Sequence, residues 1–357
     1  MKKIIQLLTS LREGDAIGND VLAMDHFLRE AGYSCEIMAL TIDERLTSKC
    51  KNVDFKRINS EDLVIFHKAT GDSLTGLISR ISCKKLVIYH NITPARFILP
   101  YDPVAAFNLA RGRRQLKQLA RVADYACGDS DYNCEELCRA GMARERTFTL
   151  PILFDTTGAD ILPDVETVEK LRKEKGTKML FIGRIAPNKK QEDIIKVYYR
   201  YLQTEDVTAK LYLVGGWNGQ EKYYAKLKGF VADLGLRDDQ VVFTGHVTEG
   251  EKQAFLTQAD VLVCMSEHEG FCVPLLEAMK QDLPIAAYAA AAVPETLGNS
   301  GMLFMKKDYK EIAAGIGKLM KSEEIRSQVI ASQRQSLKRF DIENTKNKLL
   351  SLIEQII

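Results

Sequence analysis

Glu267-His268-Glu269-Gly270-Phe271-Cys272-Val273-Pro274-Leu275-Leu276-Glu277 is the stretch on which the rest of the chain turns. An apolar run, Val261-Leu262-Val263-Cys264-Met265, precedes it, and an apolar-periodic helix pattern follows. That change of period marks a strand–loop–helix junction. Pro274 suits the first helical turn, where a missing N–H costs nothing. Free backbone amides and the positive end of a helix dipole meet at such a junction, ready for an anion. Glu269 and Glu277 stand eight positions apart across it. Two acids flanking an anion site suit a ligand with phosphate in the middle and hydroxyls at both ends, as in a nucleotide sugar. Glu277 is expected to take ribose hydroxyls and Glu269 sugar hydroxyls. Gly270, Phe271, Cys272 and Val273 form the donor-binding turn between them.

A chain of 357 residues is too long for one small core and fits two domains. Its 46% hydrophobic and 27% charged residues are those of a soluble globular protein. A net charge of +2 gives no argument for a nucleic-acid partner, and none is expected. The opening Met1-Lys2-Lys3-Ile4-Ile5-Gln6-Leu7-Leu8 could pass for a signal peptide, but its apolar part is short and lacks a small-residue cleavage site, so it reads as a first strand. No apolar run approaches the roughly 20 residues that span a bilayer. Eight scattered cysteines without a secretion signal read as free thiols in a reducing cytoplasm.

In the first half, residues 4–8, 36–39, 63–66, 86–89 and 125–127 read as strands, and 21–31 and 110–122 have helical periodicity. The pattern restarts with strands at 178–182, 209–214, 241–244, 261–265 and 285–288 and a long helix over 221–234. Alternation of this kind implies parallel βαβ units, so the fold class is α/β with two doubly wound, Rossmann-like domains. The domains are expected at 1–160 and 161–335, with a terminal helix over 336–357 and a hinge in 154–176, which contains Gly158 and Pro163. Ligand belongs at the carboxyl ends of the strands. Gly14-Asp15-Ala16-Ile17-Gly18-Asn19-Asp20 follows the first strand but lacks the G-x-G-x-x-G of a dinucleotide site.

The junction Glu269–Glu277, with Gly-Phe after its first Glu and Pro-Leu-Leu before its second, resembles the E-x7-E signature of retaining family-4 glycosyltransferases of the GT-B fold. Phe181-Ile182-Gly183-Arg184-Ile185-Ala186-Pro187-Asn188-Lys189 resembles the family segment whose Arg and Lys stabilise the leaving diphosphate, a task fixed positive charge performs in place of a metal. Lys190 and Cys272 stand where relatives often carry Gly, and Ala291-Ala292 lies in a loop that is often Gly-rich. Gly215 and Val247 fall at strand ends that frame the nucleotide base. The resemblance makes His90 a contact of the transferred sugar, so Arg184, Lys189, Glu269 and His90 form the expected catalytic set. Asp15, Asn19 and Ser130 are acceptor-side candidates. Ser130 lies in a D-x-D string that reads here as a helix N-cap and not as a metal motif.

What this implies is a metal-independent, cofactor-free hexosyltransferase, taking a UDP- or GDP-linked sugar to a glycan or lipid-linked glycan. The alternatives are a non-catalytic nucleotide-sugar-binding subunit and a nucleotide-sugar epimerase. The stretch opening at Arg111 and closing at Arg121 holds five basic residues and no acid, and offers a peripheral contact with an anionic membrane surface. Cys272, at a helix start near Arg184 and Lys189, is expected to have a lowered thiol pKa.

Overall fold

The computed structural model describes residues 2–12, 14–154 and 161–357. The chain divides into one unit of Met1–Asp155 with Phe340–Ile357 and a second of Thr156–Arg339. In the first lie β1 (Lys3–Leu11), β2 (Ser34–Ile42), β3 (Lys51–Asn52), β4 (Leu63–Lys68), β5 (Lys84–Tyr89), β6 (Tyr125–Gly128) and β7 (Thr147–Thr149). They form a parallel sheet in the order β3-β2-β1-β4-β5-β6-β7. The second holds β8 (Lys178–Ile182), β9 (Lys210–Val214), β10 (Val241–Gly245), β11 (Val261–Cys264), β12 (Ile285–Tyr288) and β13 (Met302–Phe304), in the order β10-β9-β8-β11-β12-β13. Each sheet therefore reverses direction once, between β1 and β4 and between β8 and β11. There the connecting chains leave towards opposite faces and open a crevice beyond the strand ends.

The strands read as apolar runs because each sheet is covered on both faces. In β1, Ile5 and Leu7 pack with Val64, Phe66 and Val87 on one side, while Ile4 joins Ile65, Leu86 and Ile88 on the other. Gln6 interrupts this run, and its buried amide donates to the Val21 carbonyl at 3.1 Å and meets His67 Nε2 at 3.0 Å. A bare amide there would cost several kcal/mol. The sequence did not reveal β3, β7 and β13, which are two or three residues long at or near sheet edges, too short for a periodic signal.

The terminal helix Ile342–Ile356 buries Leu349, Leu352, Ile353 and Ile356 against Ile4, Met24 and Leu28 of the first unit. Lys346 binds Glu30 at 2.8 Å and Lys84 donates to the Ile356 carbonyl. Of the expected hinge, Gly158 and the boundary at 160 lie outside the described residues, and the remainder contains the helix Val165–Lys173.

The carboxyl ends of β8, β9 and β10 are stitched together through glycines. Gly183 N donates to Val214 O at 2.9 Å, and Gly215 N to Gly245 O at 3.1 Å. Gly215 has φ +145°, and a Cβ there would lie 2.2 Å from the Gly183 carbonyl oxygen. Gly215→Ala is expected to lose about 3 kcal/mol or more of stability. Gly219→Ala, at φ +74° with open space around it, should lose only about 1 kcal/mol. Denaturant unfolding of both variants checks this, and equal losses would remove the close approach as the cause.

Candidate functional site

The crevice beyond β8 and β11 is where the second unit gathers its charged groups. β8 ends at Ile182, and the chain passes Gly183 (φ +141°), exposed Arg184 and a 3-10 turn at Pro187–Lys189. β11 ends at Cys264 and continues into the 266–272 loop. Asn188 ties the two together: its carbonyl accepts from Glu267 N at 2.9 Å and its Nδ2 donates to the His268 carbonyl at 3.0 Å. Thr296 Oγ1 donates to the Phe271 carbonyl at 2.5 Å, anchoring the far side of the loop. Glu269 and Lys189, eighty residues apart, thereby meet at 2.5 Å. Burial alone would push the Lys189 ammonium down; the charge of Glu269, chiefly, reverses this and holds it above its ordinary value. Arg184 lies on the same segment, its carbonyl held at 3.2 Å by Gln191 Nε2.

Three turns around this pair have left-handed backbones on non-glycine residues: Lys190 (φ 56°), Cys272 (φ 76°) and Ala291 (φ 51°). These are the positions where the resemblance expects glycine. At Cys272 the positive φ is itself a demand that glycine meets without strain. The expectation of a lowered thiol pKa at Cys272 is overturned. Its thiol is buried beneath the loop beside Cys264. The hydrogen bond to Cys264, then burial, then the charge of Glu269 push it well above its ordinary value, and Lys189 offsets only part. Phe271 is buried too, so it and Cys272 can offer a nucleotide sugar only their backbone. The helix Val273–Lys280 starts immediately after, with Pro274 in its first turn.

Glu277, further along this helix, binds Lys252 at 2.8 Å, and Lys252 also binds Glu249 at 2.6 Å. Sequence reasoning missed Lys252, because only the short Glu249–Lys252 spacing is visible without the fold. It also missed Trp217, which stacks on Tyr224 with centroids 4.1 Å apart and lies 3.6 Å from the Cβ position of Gly245. Val247 is half-buried against the core of the second unit. Beneath the loop, Lys307 joins Asp193 at 2.6 Å to Glu267 at 2.8 Å.

In the first unit, Asp15 caps the helix Ala16–Glu30, and Asn19 is exposed one turn on. Gly18 brings this helix start so close to the Arg12 carbonyl that a Cβ would lie 2.4 Å from it. Ser130 is buried as the N-cap of Asp131–Arg139, accepting from Asn133 N at 3.2 Å. The carboxylates of its D-x-D string point to different partners, Asp129 to His90 and Asp131 to Thr149. His90 departs from the expected sugar contact. Its Nδ1 meets Asp129 at 3.1 Å, its Nε2 meets His67 at 2.9 Å, and its side chain is 1% exposed. Both ring nitrogens are thus spent inside the first unit. The basic stretch is also partly structural: Arg111 donates to the Asp72 carbonyl and Arg113 to Glu136 and the Ile92 carbonyl. Only Arg114, Lys117 and Arg121 of the five are exposed.

Among the described residues, no helix is long and apolar enough to cross a membrane, and all eight cysteines are free thiols. Two groupings have ligand atoms close enough to hold a metal: Asp20, His67 and His90; and Cys264, Glu269 and Cys272. In the first, the rings already bond each other, Gln6 and Asp129, which leaves their nitrogens little to offer a cation. Burial, the largest cause, pushes the Asp20 carboxyl up to about 6; His90 pulls it down and Asp129 up. A carboxyl raised from 3.8 to about 6 on folding costs up to about 3 kcal/mol at neutral pH, a cost that fades as pH falls through that window. Asp20→Asn keeps an oxygen for Leu153 N, which Asp20 Oδ1 accepts at 2.8 Å. The variant is expected to be more stable at pH 8 by roughly 1–3 kcal/mol and to lose that advantage near pH 4. Denaturant unfolding at both values checks it, and an equal gain at pH 4 would exclude charge as the cause.

Residues 165–336 match the family model described as glycosyl transferases group 1. N-acetyl-alpha-D-glucosaminyl L-malate synthase of Bacillus anthracis is 27% identical over 87% of this chain and 86% of its own length. O-antigen chain mannosyltransferase B of Escherichia coli is 25% identical over 46% of this chain and 42% of its own. The matches span less than half the length of several of the curated relatives. Among solved structures, Anabaena HepE in complex with UDP and glucose superimposes over 99% of this chain and 100% of its own, with a TM-score of 0.76 at 18% identity. The chain has the α/β GT-B fold, and its residues 165–336 are similar to the glycosyl transferases group 1.

Proposed function

We propose that the protein is a retaining, metal-independent hexosyltransferase, moving a sugar from a UDP- or GDP-linked donor to a hydroxyl of a glycan or lipid-linked glycan. The observation that carries this is the Lys189–Glu269 pair, 2.5 Å apart where the second sheet reverses, beside a helix start. The UDP and glucose of HepE and the sugar-transferring relatives support the donor class. Charge develops on the departing diphosphate as the glycosidic bond breaks. Arg184 supplies a fork of donors and Lys189 a compact ammonium, and fixed charge of this kind needs no reorganisation in the transition state. Glu269 takes sugar hydroxyls and at rest keeps Lys189 protonated. Glu277 takes the ribose, and Lys252, 2.8 Å away, holds it aimed. With no carboxylate among the described residues placed as a nucleophile, the leaving phosphate itself takes the acceptor proton on the same face.

Turnover, measured as free nucleoside diphosphate released from UDP- or GDP-sugars, is expected to persist in excess chelator. Arg184→Ala should lower it about a hundredfold or more with a smaller effect on donor binding. Turnover that vanished with chelator and returned with magnesium would reverse the assignment of the two cations.

Glu277→Ala should weaken free nucleoside diphosphate and intact donor alike, by about tenfold. Glu269→Ala should leave nucleotide binding nearly unchanged while impairing donor use. Calorimetry with both ligands separates these roles, and equal losses of nucleotide affinity would refute the division.

A further inference from the structure

Beneath the donor loop lie two sulfurs to which nucleotide-sugar chemistry gives no task. The sulfurs of Cys264 and Cys272 and a carboxylate oxygen of Glu269 all lie within 4.8 Å of one another, and all three residues are buried. Metal bonds of about 2.3 Å to sulfur and 2.0–2.2 Å to carboxylate oxygen place neighbouring ligands of a tetrahedral ion roughly 3.5–3.8 Å apart. Small side-chain rotations would close the set on one ion. A narrow cavity lined by Cys264, Cys272, Glu269, Lys189 and Phe181 has about 10 Å³ open to the centre of a water molecule, room for a single small occupant.

The donor set states which ion it suits. Two thiolates and one carboxylate favour zinc-type cations, whereas magnesium and calcium would leave the sulfurs unused. Lys189, 2.5 Å from Glu269, is the feature that opposes a cation, and a charge count answers it. With both thiols protonated, Glu269 and Lys189 cancel. A divalent ion that displaces two thiol protons adds two positive charges and uncovers two negative ones, so the buried group stays neutral. What changes is the partner of Glu269, whose oxygen moves from the ammonium to the metal. The frame is already fixed, with Cys264 ending β11 and Cys272 held by the loop anchored at Asn188 and Thr296.

We infer that Cys264, Cys272 and Glu269 form a three-ligand site for a thiophilic divalent cation of the zinc type, and that occupancy shuts the donor site by drawing Glu269 away from Lys189. The inhibition rests on the proposed donor site; the binding does not.

The full-length reduced protein, stripped with chelator, is titrated with cobalt as the spectroscopic probe. One equivalent should raise a thiolate-to-cobalt charge-transfer band, and zinc should abolish it by displacement. Zinc should also protect Cys264 and Cys272, but not half-buried Cys138, from alkylation read by peptide mass. Cys264→Ala should lose the band and the protection. Cys272→Gly, which suits the left-handed backbone, should lose them too and serves if the first variant folds poorly. Zinc should lower wild-type turnover at least tenfold, reversibly with chelator, and spare Cys264→Ala. A cobalt spectrum without a thiolate band, binding unchanged in both variants, or two thiols lost to a disulfide with no metal bound would each overturn the site. A band and protection in a protein that releases no nucleoside diphosphate would leave the site standing and remove the donor reading instead.

Discussion

Glu269 is the chief group that holds the Lys189 ammonium above its ordinary value. Burial favours the neutral amine there, and the neighbouring carboxylate outweighs that preference. Neither group can hold its position alone, and the rest of the second unit is arranged to keep them together. The strand reversal between β8 and β11 brings their two loops side by side, Asn188 ties one loop to the other, and the Gly183–Gly215 contact holds the ends of β8 and β9 at backbone distance. Loosening any of these would leave a half-buried charge without its partner, at a cost of several kcal/mol.

The same loops carry backbone strain. Lys190, Cys272 and Ala291 each adopt positive φ with a Cβ in place, at roughly 1–2 kcal/mol apiece. Strain of this kind persists only where surrounding bonds over-determine the chain. Here they do: Lys190 is followed by a helix whose Asp193 binds Lys196 and Lys307, and Ala292 N donates to the Glu269 carbonyl at 3.3 Å. Glycine would meet the conformational demand at each place. Cys272 does more than meet it, since its side chain brings a second sulfur to Cys264.

What the sequence made legible was periodic or local. Long apolar strands, the βα alternation, the helix start at Val273 and the Ser130 cap all announce themselves within a few residues. Edge strands such as β3 do not, because two polar residues paired on one side carry no pattern. Partnerships across the fold were hidden for a related reason. Lys252 and Glu277 are 25 positions apart and Lys189 and Glu269 are 80 apart, distances at which charge alone names no partner. His90 shows the reverse case: its place at a strand end was legible, but its burial depended on His67 and Asp129, which no local motif connects to it.

The two units share a strand order and yet dress their reversal points differently, and burial accounts for the contrast. Around β1, β4 and β5 the polar groups are sealed: His90 is 1% and Asp129 3% exposed at the side chain, and they satisfy one another. Such a network rigidifies a core and costs much to open. Beside β8 and β11, Lys189 keeps 23% of its side chain exposed and Glu269 7%. An incoming phosphate can therefore bond Lys189 without first paying to uncover a sealed charge. Beside that exposed ammonium, the buried Glu269 carboxylate lies between the sugar side of the pocket and the sulfurs behind it. One carboxylate with two competing partners is the arrangement from which both catalysis and its interruption follow.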